Sequence, residues 1–222
     1  QGTAAAKNTG LSYAKGEYIS FVDADDTIDI NYIENLYYGA KEKNADVCIG
    51  NVAFTTKNGE KVISRRTIKL QEGYFTLKEI MAFYPQYMPN AIIGAPWNKL
   101  YKMSIIKEYS LSFDTQLKNN EDTHFNYLYL AKCNTVYVSE EPFYNYMNYT
   151  GVSSASKRYI PNLFDIYIGT YHKAIDFLKA TDTYEDNINF QKQYFINLIV
   201  GLFNQIINGN NDLTTKKKLY KI

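Results

Sequence analysis

Cysteine and histidine are scarce in this chain, with two of each among 222 residues. Cys48 and Cys133 stand far apart in apolar segments, with neither a C-x-x-C spacing nor a histidine partner. That argues against a disulfide framework or a thiolate metal site, and they read as buried free thiols of a reducing compartment. His124 and His172 form no metal motif either. Long apolar runs are also missing. The longest, Phe195 to Ile207, is interrupted by Asn197, Asn204 and Gln205, which argues against a transmembrane span. The net charge is +1 and no sustained basic stripe accompanies it, which argues against a nucleic-acid binder. One basic run, Lys216 to Lys218, reads as a solvated end, and no signal-peptide pattern follows Gln1. The 22 tyrosines, beside abundant Asn, Lys and Ile, read as codon composition and not as function.

What the chain does have is a strand tipped with charge. Tyr18 to Asp26 reads Y-I-S-F-V-D-A-D-D, a buried five-residue strand ending in three carboxylates within four positions. Ligands of open α/β sheets bind beyond the carboxyl ends of the strands, which is where Asp23, Asp25 and Asp26 fall. Carboxylates so close raise one another's pKa unless a cation or a donor neutralises them. A magnesium-type ion carrying phosphate oxygens is the natural neutraliser. A calcium loop fits the spacing Asp23, Asp25, Thr27, Asp29 and Glu34 but fails at Ile28, where the sharp turn needs glycine, and a strand precedes it in place of a helix.

At 222 residues the chain can bury a real core. A small-residue helix is expected from Gln1 to Gly16, with Thr3 as its cap, and an amphipathic helix from Asn31 to Lys43. Asp46 to Phe54 reads as a strand, and Asn58-Gly59 signals a hairpin toward Val62 and Ile63. Thr76 and Glu79 form a capping box for a short helix that Pro85 should end. Gly94 to Tyr101 reads as irregular, Ser104 to Tyr109 as helix. Asn119-Asn120-Glu121-Asp122 opens a helix with Phe125, Leu128 and Tyr129 on one face. Val136 to Ser139 reads as a strand, Pro142 to Tyr149 as an edge or loop, and Gly151 to Ser156 as a flexible turn. Two helices follow, about 162 to 181 and 186 to 208, with Gly209 to Asp212 as a stop; they carry no catalytic constellation.

Glu121 and Asp122 by themselves fit ordinary N-terminal helix chemistry. As a functional pair with the first site, Asp122 would act as a base, kept ionised by the helix dipole.

Three blocks taken jointly are more specific: A-A-A-K-N-T-G-L-S-Y-A-K-G-E-Y-I-S-F-V-D-A-D-D, then W-N-K-L-Y-K, then F-D-T-Q-L-K-N-N-E-D-T-H-F-N. Together they resemble the family-2 glycosyltransferases of the GT-A fold, of the kind that builds bacterial surface polysaccharides. The resemblance runs from about Gly2 to Ser154. It implies an α/β fold with a GT-A-like, Rossmann-related mixed sheet flanked by helices. Residues 1–158 would be the transferase domain and 159–222 a helical C-terminal extension.

By the same resemblance, Asp23 would lie by the nucleotide ribose and Asp25 would hold manganese or magnesium on the diphosphate. Asp26 would face the acceptor or donor sugar, Lys7 would place a charge near the nucleotide, and Asp122 would be the catalytic base. Glu121 would stand at the acceptor side and Trp97 would offer an apolar face to an acceptor sugar, with Asn98 and Lys99 supporting its loop. The family's arginine is replaced by Lys7, and a basic residue frequent near Met147 is absent unless Lys157 or Arg158 substitutes. The family's first strands and nucleobase-binding turn are also absent, so the chain reads as an N-terminally truncated portion that would not turn over a sugar nucleotide alone.

The implied activity is hexosyl transfer, with inversion, from a nucleotide-diphosphate sugar to a glycan or lipid-linked acceptor. The implied location is cytoplasmic, extending to peripheral contact at the inner face of the membrane. Self-association through the truncated sheet edge is a further expectation. The rival reading is a non-catalytic module, derived from a transferase half, that binds a glycan or a partner.

Overall fold

The computed structural model describes residues 2–151 and 162–208. Its centre is a pair of long parallel strands, β3 (Val47–Asn58) and β7 (Thr135–Tyr149), joined from Val47↔Val136 to Lys57↔Tyr149. The first seven residues of β3 are all buried, as expected of a strand covered on both faces. Its other flank is shared by β6 (Lys99–Lys102), antiparallel along Val47 to Ile49, and β4 (Lys61–Ile68), antiparallel along Val52 to Asn58. The outer flank of β7 carries β5 (Gly73–Thr76) and β2 (Thr27–Ile28). Beside β6 lies β1 (Tyr18–Ser20), which ends the described strand order β1-β6-β3-β7-β2 of a mixed seven-stranded sheet.

The helices are α1 (Thr3–Tyr13), α2 (Tyr32–Lys43), α3 (Leu77–Met81), α4 (Tyr84–Tyr87), α5 (Met103–Glu108), α6 (Glu121–Leu130), α7 (Leu163–Ala180) and α8 (Tyr184–Asn208). The amphipathic α2 packs so closely on the sheet that a Cβ on Gly39 would lie 1.9 Å from the Tyr137 ring. A capping box between Thr76 and Glu79 opens α3. Helices α7 and α8 pack on the body: Tyr127 stacks on Phe177 at 4.7 Å, and the Tyr84 hydroxyl donates to Gln191 Oε1 at 2.8 Å. No helix among the described residues is long and apolar enough to cross a membrane. Cys48 and Cys133 are buried and free, and burial pushes the Cys48 thiol up to about 12.

Several sequence expectations shift. Pro142 to Tyr149 is no edge or loop but the second half of β7, between β3 and β2. The register explains how a proline is tolerated: Gly50 pairs with Ser139 and Val52 with Tyr144, so residues 140–143 bulge out of the β3 ladder, where a missing N–H costs nothing. Lys99 to Tyr101 belongs to a strand. β1 ends at Ser20 because Phe21 turns into an aromatic cluster with Tyr101, Phe113 and Phe125. The hairpin turn is Gly59-Glu60, one residue later than read, with Gly59 at φ 58°. α3 stops at Met81, and Pro85 lies in the first turn of α4, where proline is favourable. Leu128 is exposed, unlike its expected face-mates Phe125 and Tyr129. Thr3 begins α1 without capping it; Gly2 holds the cap position. The expected domain boundary near 158 and most of the turn after Gly151 lie outside the described residues, as do the Gly209 stop and the lysine run.

Candidate active site

Five of the seven residues singled out by the sequence line one cavity of about 750 Å3: Lys7, Asp23, Asp25, Glu121 and Asp122. They arrive from three elements. The loop after β1 delivers Asp23 and Asp25, the first turn of α6 delivers Glu121 and Asp122, and α1 bridges them. Lys7 Nζ donates to Asp122 Oδ1 at 2.6 Å, and the Thr3 hydroxyl donates to Glu121 Oε1 at 2.7 Å. The Asn8 side chain fixes α1 in place by accepting from the Phe113 N–H and donating to the Phe113 carbonyl, both at 2.8 Å. α1 is therefore part of the site wall, and Lys7 is engaged with the candidate base.

Helix α6 is anchored from below. Buried Asn126 donates to the Gly94 carbonyl at 3.0 Å and to the Asp122 carbonyl at 2.9 Å, while its Oδ1 accepts from the Tyr101 hydroxyl at 2.8 Å. Nearby, fully buried Lys99 donates to the carbonyls of Ile92 and Ala95 and to Asn98 Oδ1, at 2.5–2.8 Å. Burial pushes its pKa down, with Asp122 opposing, and three acceptors saturate its three donors. Lys99 and Asn98 thus hold residues 92–98 against the sheet.

Asp26 and Trp97 depart from their expected roles. Asp26 does not face the cavity: its Oδ1 accepts from the Met147 N–H and its Oδ2 from the Tyr144 hydroxyl, both at 2.7 Å. The same hydroxyl accepts from the Asp23 N–H at 3.1 Å. Asp26 thereby ties the acidic loop to β7. Trp97 is 5% exposed, stacked on Tyr144 at 4.7 Å and edge-on to Phe54, so it has no face free for an acceptor. It backs the tyrosine that shapes the acidic loop.

The electrostatics are those of a site built for a positive charge. Burial raises the pKa of Asp23, against the pull of Lys7 and with a push from Asp25. Burial likewise raises Asp26, opposed by the Met147 N–H and the Tyr144 hydroxyl. Asp122 is raised by burial, lowered by Lys7, and raised again by Glu121 and Asp23. The expected pull of the helix dipole toward the ionised form of Asp122 is outweighed by desolvation, so its pKa is displaced upward. Among the described residues no group of three acids, histidines or cysteines could hold a metal unaided. Two cavity-facing carboxylates, Asp23 and Asp25, suit a hard ion whose remaining ligands are substrate phosphate oxygens.

The sequence reading missed part of this site. Tyr146 from β7 and a stripe of α7 and α8, including Tyr167, Tyr171 and Tyr194, complete the cavity wall. The i, i+3, i+4 spacing of 167, 170 and 171 and of 191, 194 and 195 was visible, but periodicity does not distinguish a packing face from a cavity wall.

The profile described as Glycosyl transferase family 2 matches residues 1–110, the stretch that supplies Lys7, the acidic loop and the Lys99 anchor. Over those residues the chain belongs to that family. It is 27% identical over 184 residues to a poly(ribitol-phosphate) beta-glucosyltransferase of Bacillus spizizenii, covering 83% of this chain and 27% of the relative. To the poly(ribitol-phosphate) beta-N-acetylglucosaminyltransferase TarP of Staphylococcus aureus it is 26% identical over 179 residues, covering 76% and 51%. The crystal structure of S. aureus TarS 1-349 in complex with UDP-GlcNAc superposes with a TM-score of 0.66 at 17% identity, covering 98% of this chain and 58% of that one. That likeness shows the GT-A fold with its C-terminal helices. The chain spans about half or less of the length of these curated family-2 relatives.

Proposed function

We propose that this chain carries the catalytic centre of an inverting glycosyltransferase that moves a hexosyl group from a uridine-diphosphate sugar to a hydroxyl of a cell-surface glycan or lipid-linked acceptor. The observation that carries this reading is the placement of Asp122 across the same cavity from Asp23 and Asp25. In a single displacement the acceptor oxygen forms the new glycosidic bond as the bond to the diphosphate oxygen breaks, and the electron pair leaves with the diphosphate. The acceptor's proton goes to the Asp122 carboxylate. Burial raises the affinity of Asp122 for that proton, while the Lys7 ion pair favours the ionised carboxylate and fixes its orientation. Manganese or magnesium, held by Asp25 with Asp23 beside it, would neutralise charge developing on the leaving diphosphate. The likeness to a glucosyltransferase and an N-acetylglucosaminyltransferase, and the UDP-GlcNAc bound by TarS, support the donor class.

The test is release of UDP from UDP-N-acetylglucosamine and UDP-glucose by the full-length protein with manganese. Asp122→Asn is expected to lower turnover by about 100-fold or more, and Asp25→Asn to abolish it, both with little change in melting temperature. Full activity of Asp25→Asn in the presence of chelator would rule out the metal role. A folded protein that binds UDP but turns over neither donor would favour a binding module.

A further inference from the structure

We infer that α7 and α8 form the acceptor subsite, and that its ligand is an uncharged polyhydroxylated group, a saccharide ring or an alditol; the inference rests on the transferase reading above. Each helix packs on the body along one part of its length and runs past it over the cavity along another. On α7, Ala174, Phe177 and Leu178 are buried, whereas Tyr167, Thr170 and Tyr171, one and two turns earlier on the same stripe, are half-exposed and line the cavity. On α8 the same change occurs in the other direction. Asn187, Ile188 and Gln191 are buried, and Tyr194 and Phe195 continue the stripe over the cavity, half-exposed.

The chemistry of this wall is specific. None of the α7 and α8 side chains lining the cavity is charged, while the rest of the lining holds four carboxylates with Lys7 and Lys118. Tyr171 and Phe195 pack ring to ring at 4.6 Å, a platform suited to the C–H face of a sugar. The carbonyl of Gln191 is taken by Tyr84, which leaves its NH2 to donate. Apolar faces interleaved with a few neutral hydrogen-bonding groups suit a ligand rich in hydroxyls; a diphosphate belongs beside Asp23 and Asp25.

Position assigns the wall to the acceptor. Asn120 directly precedes Glu121 and Asp122, and its Nδ2 donates to Thr170 Oγ1 at 3.0 Å. The α7 stripe is therefore fastened to the turn that carries the base. A group resting on Tyr171 and Tyr194 shares the cavity with Asp122, toward which the attacking hydroxyl must point.

The experiment measures UDP release by the full-length protein from UDP-N-acetylglucosamine and UDP-glucose, with maltose, p-nitrophenyl β-glucoside and ribitol as acceptor probes. Wild type should release UDP faster with at least one probe. Tyr171→Ala and Tyr194→Ala should each raise the KM for that probe about tenfold, with the donor KM changed by less than about twofold on the same scale. Ile196→Ala, on the exposed face of α8, should change neither. Equal rises in both KM values, or no rise in the probe KM with either tyrosine variant, would overturn the assignment. So would donor hydrolysis that no uncharged probe accelerates. A wild-type protein that consumes neither donor refutes the transferase reading itself, a result distinct from these.

Discussion

The Lys7–Asp122 pair concentrates the site's chemistry in two side chains. Lys7 is 13% exposed and Asp122 31% exposed, so their attraction is only partly screened by water. Lys7 lowers the pKa of Asp122 against the effect of burial. Removing the ammonium as Lys7→Met leaves burial, Glu121 and Asp23 all acting upward. The acid limb of the kcat/KM profile, which reports the free enzyme's base, should then move to higher pH, with activity recovering on the alkaline side. A downward displacement would mean that another group sets the limb. Asp26 shows why the sequence alone overstated the acidic cluster. Three carboxylates in four positions look alike in a string, yet one of them spends both oxygens on the Met147 N–H and Tyr144, residues more than a hundred positions away.

At the scale of elements, α6 and the loop from Pro89 to Asn98 must meet closely for Asp122 to be placed. Gly94 makes this contact possible, since a Cβ there would lie 2.7 Å from Thr123 Oγ1. Asn126 bonds to the Gly94 carbonyl across the same gap. Gly94→Ala should displace the first turn of α6 and lower kcat about tenfold or more, because misplacement by about 1 Å can cost on the order of 100-fold. Thr123→Ala in the same chain removes the clashing oxygen and should restore most of the activity. No recovery in the double variant would show that the contact is not what positions α6. The capping box, the amphipathic α2 and the start of α6 were legible because caps and periodicity act within a few residues. The second half of β7 was not legible. A proline and a run of aromatics resemble a loop until β3 and β2 flank them and the bulge at 140–143 takes up the missing donor.

Across the whole molecule, the cavity draws side chains from Thr3 to Leu198, and its partly buried carboxylates link function to stability. Asp23 has a raised pKa in the folded state, so between the unfolded value and the raised folded one the fold holds a proton that the unfolded chain has released. Stability on this account is full below the unfolded value near 4 and falls as pH rises through the raised folded value. Asp23→Asn should therefore melt above wild type at neutral pH by a few degrees (roughly 2–4 °C per kcal/mol at this size), with the gap closing toward pH about 4. His124, whose pKa burial lowers, titrates with the opposite sign, so the difference between the two proteins is the quantity to follow. Manganese with UDP should narrow the gap at neutral pH by stabilising wild type more. A variant no more stable than wild type at neutral pH would show that Asp23 ionises in the fold without penalty. By itself, the sequence determined the acidic stretch after the first strand, the α6 pair, the family and most of the helices, because each is written in neighbouring residues or short spacings. Only the tertiary structure decided that Lys7 grips Asp122, that Asp26 and Trp97 support the site from behind, and that tyrosines of α7 and α8 wall it. Those relations are contacts across long stretches of chain, set by which buried surfaces meet and which polar atoms must find partners once water is excluded.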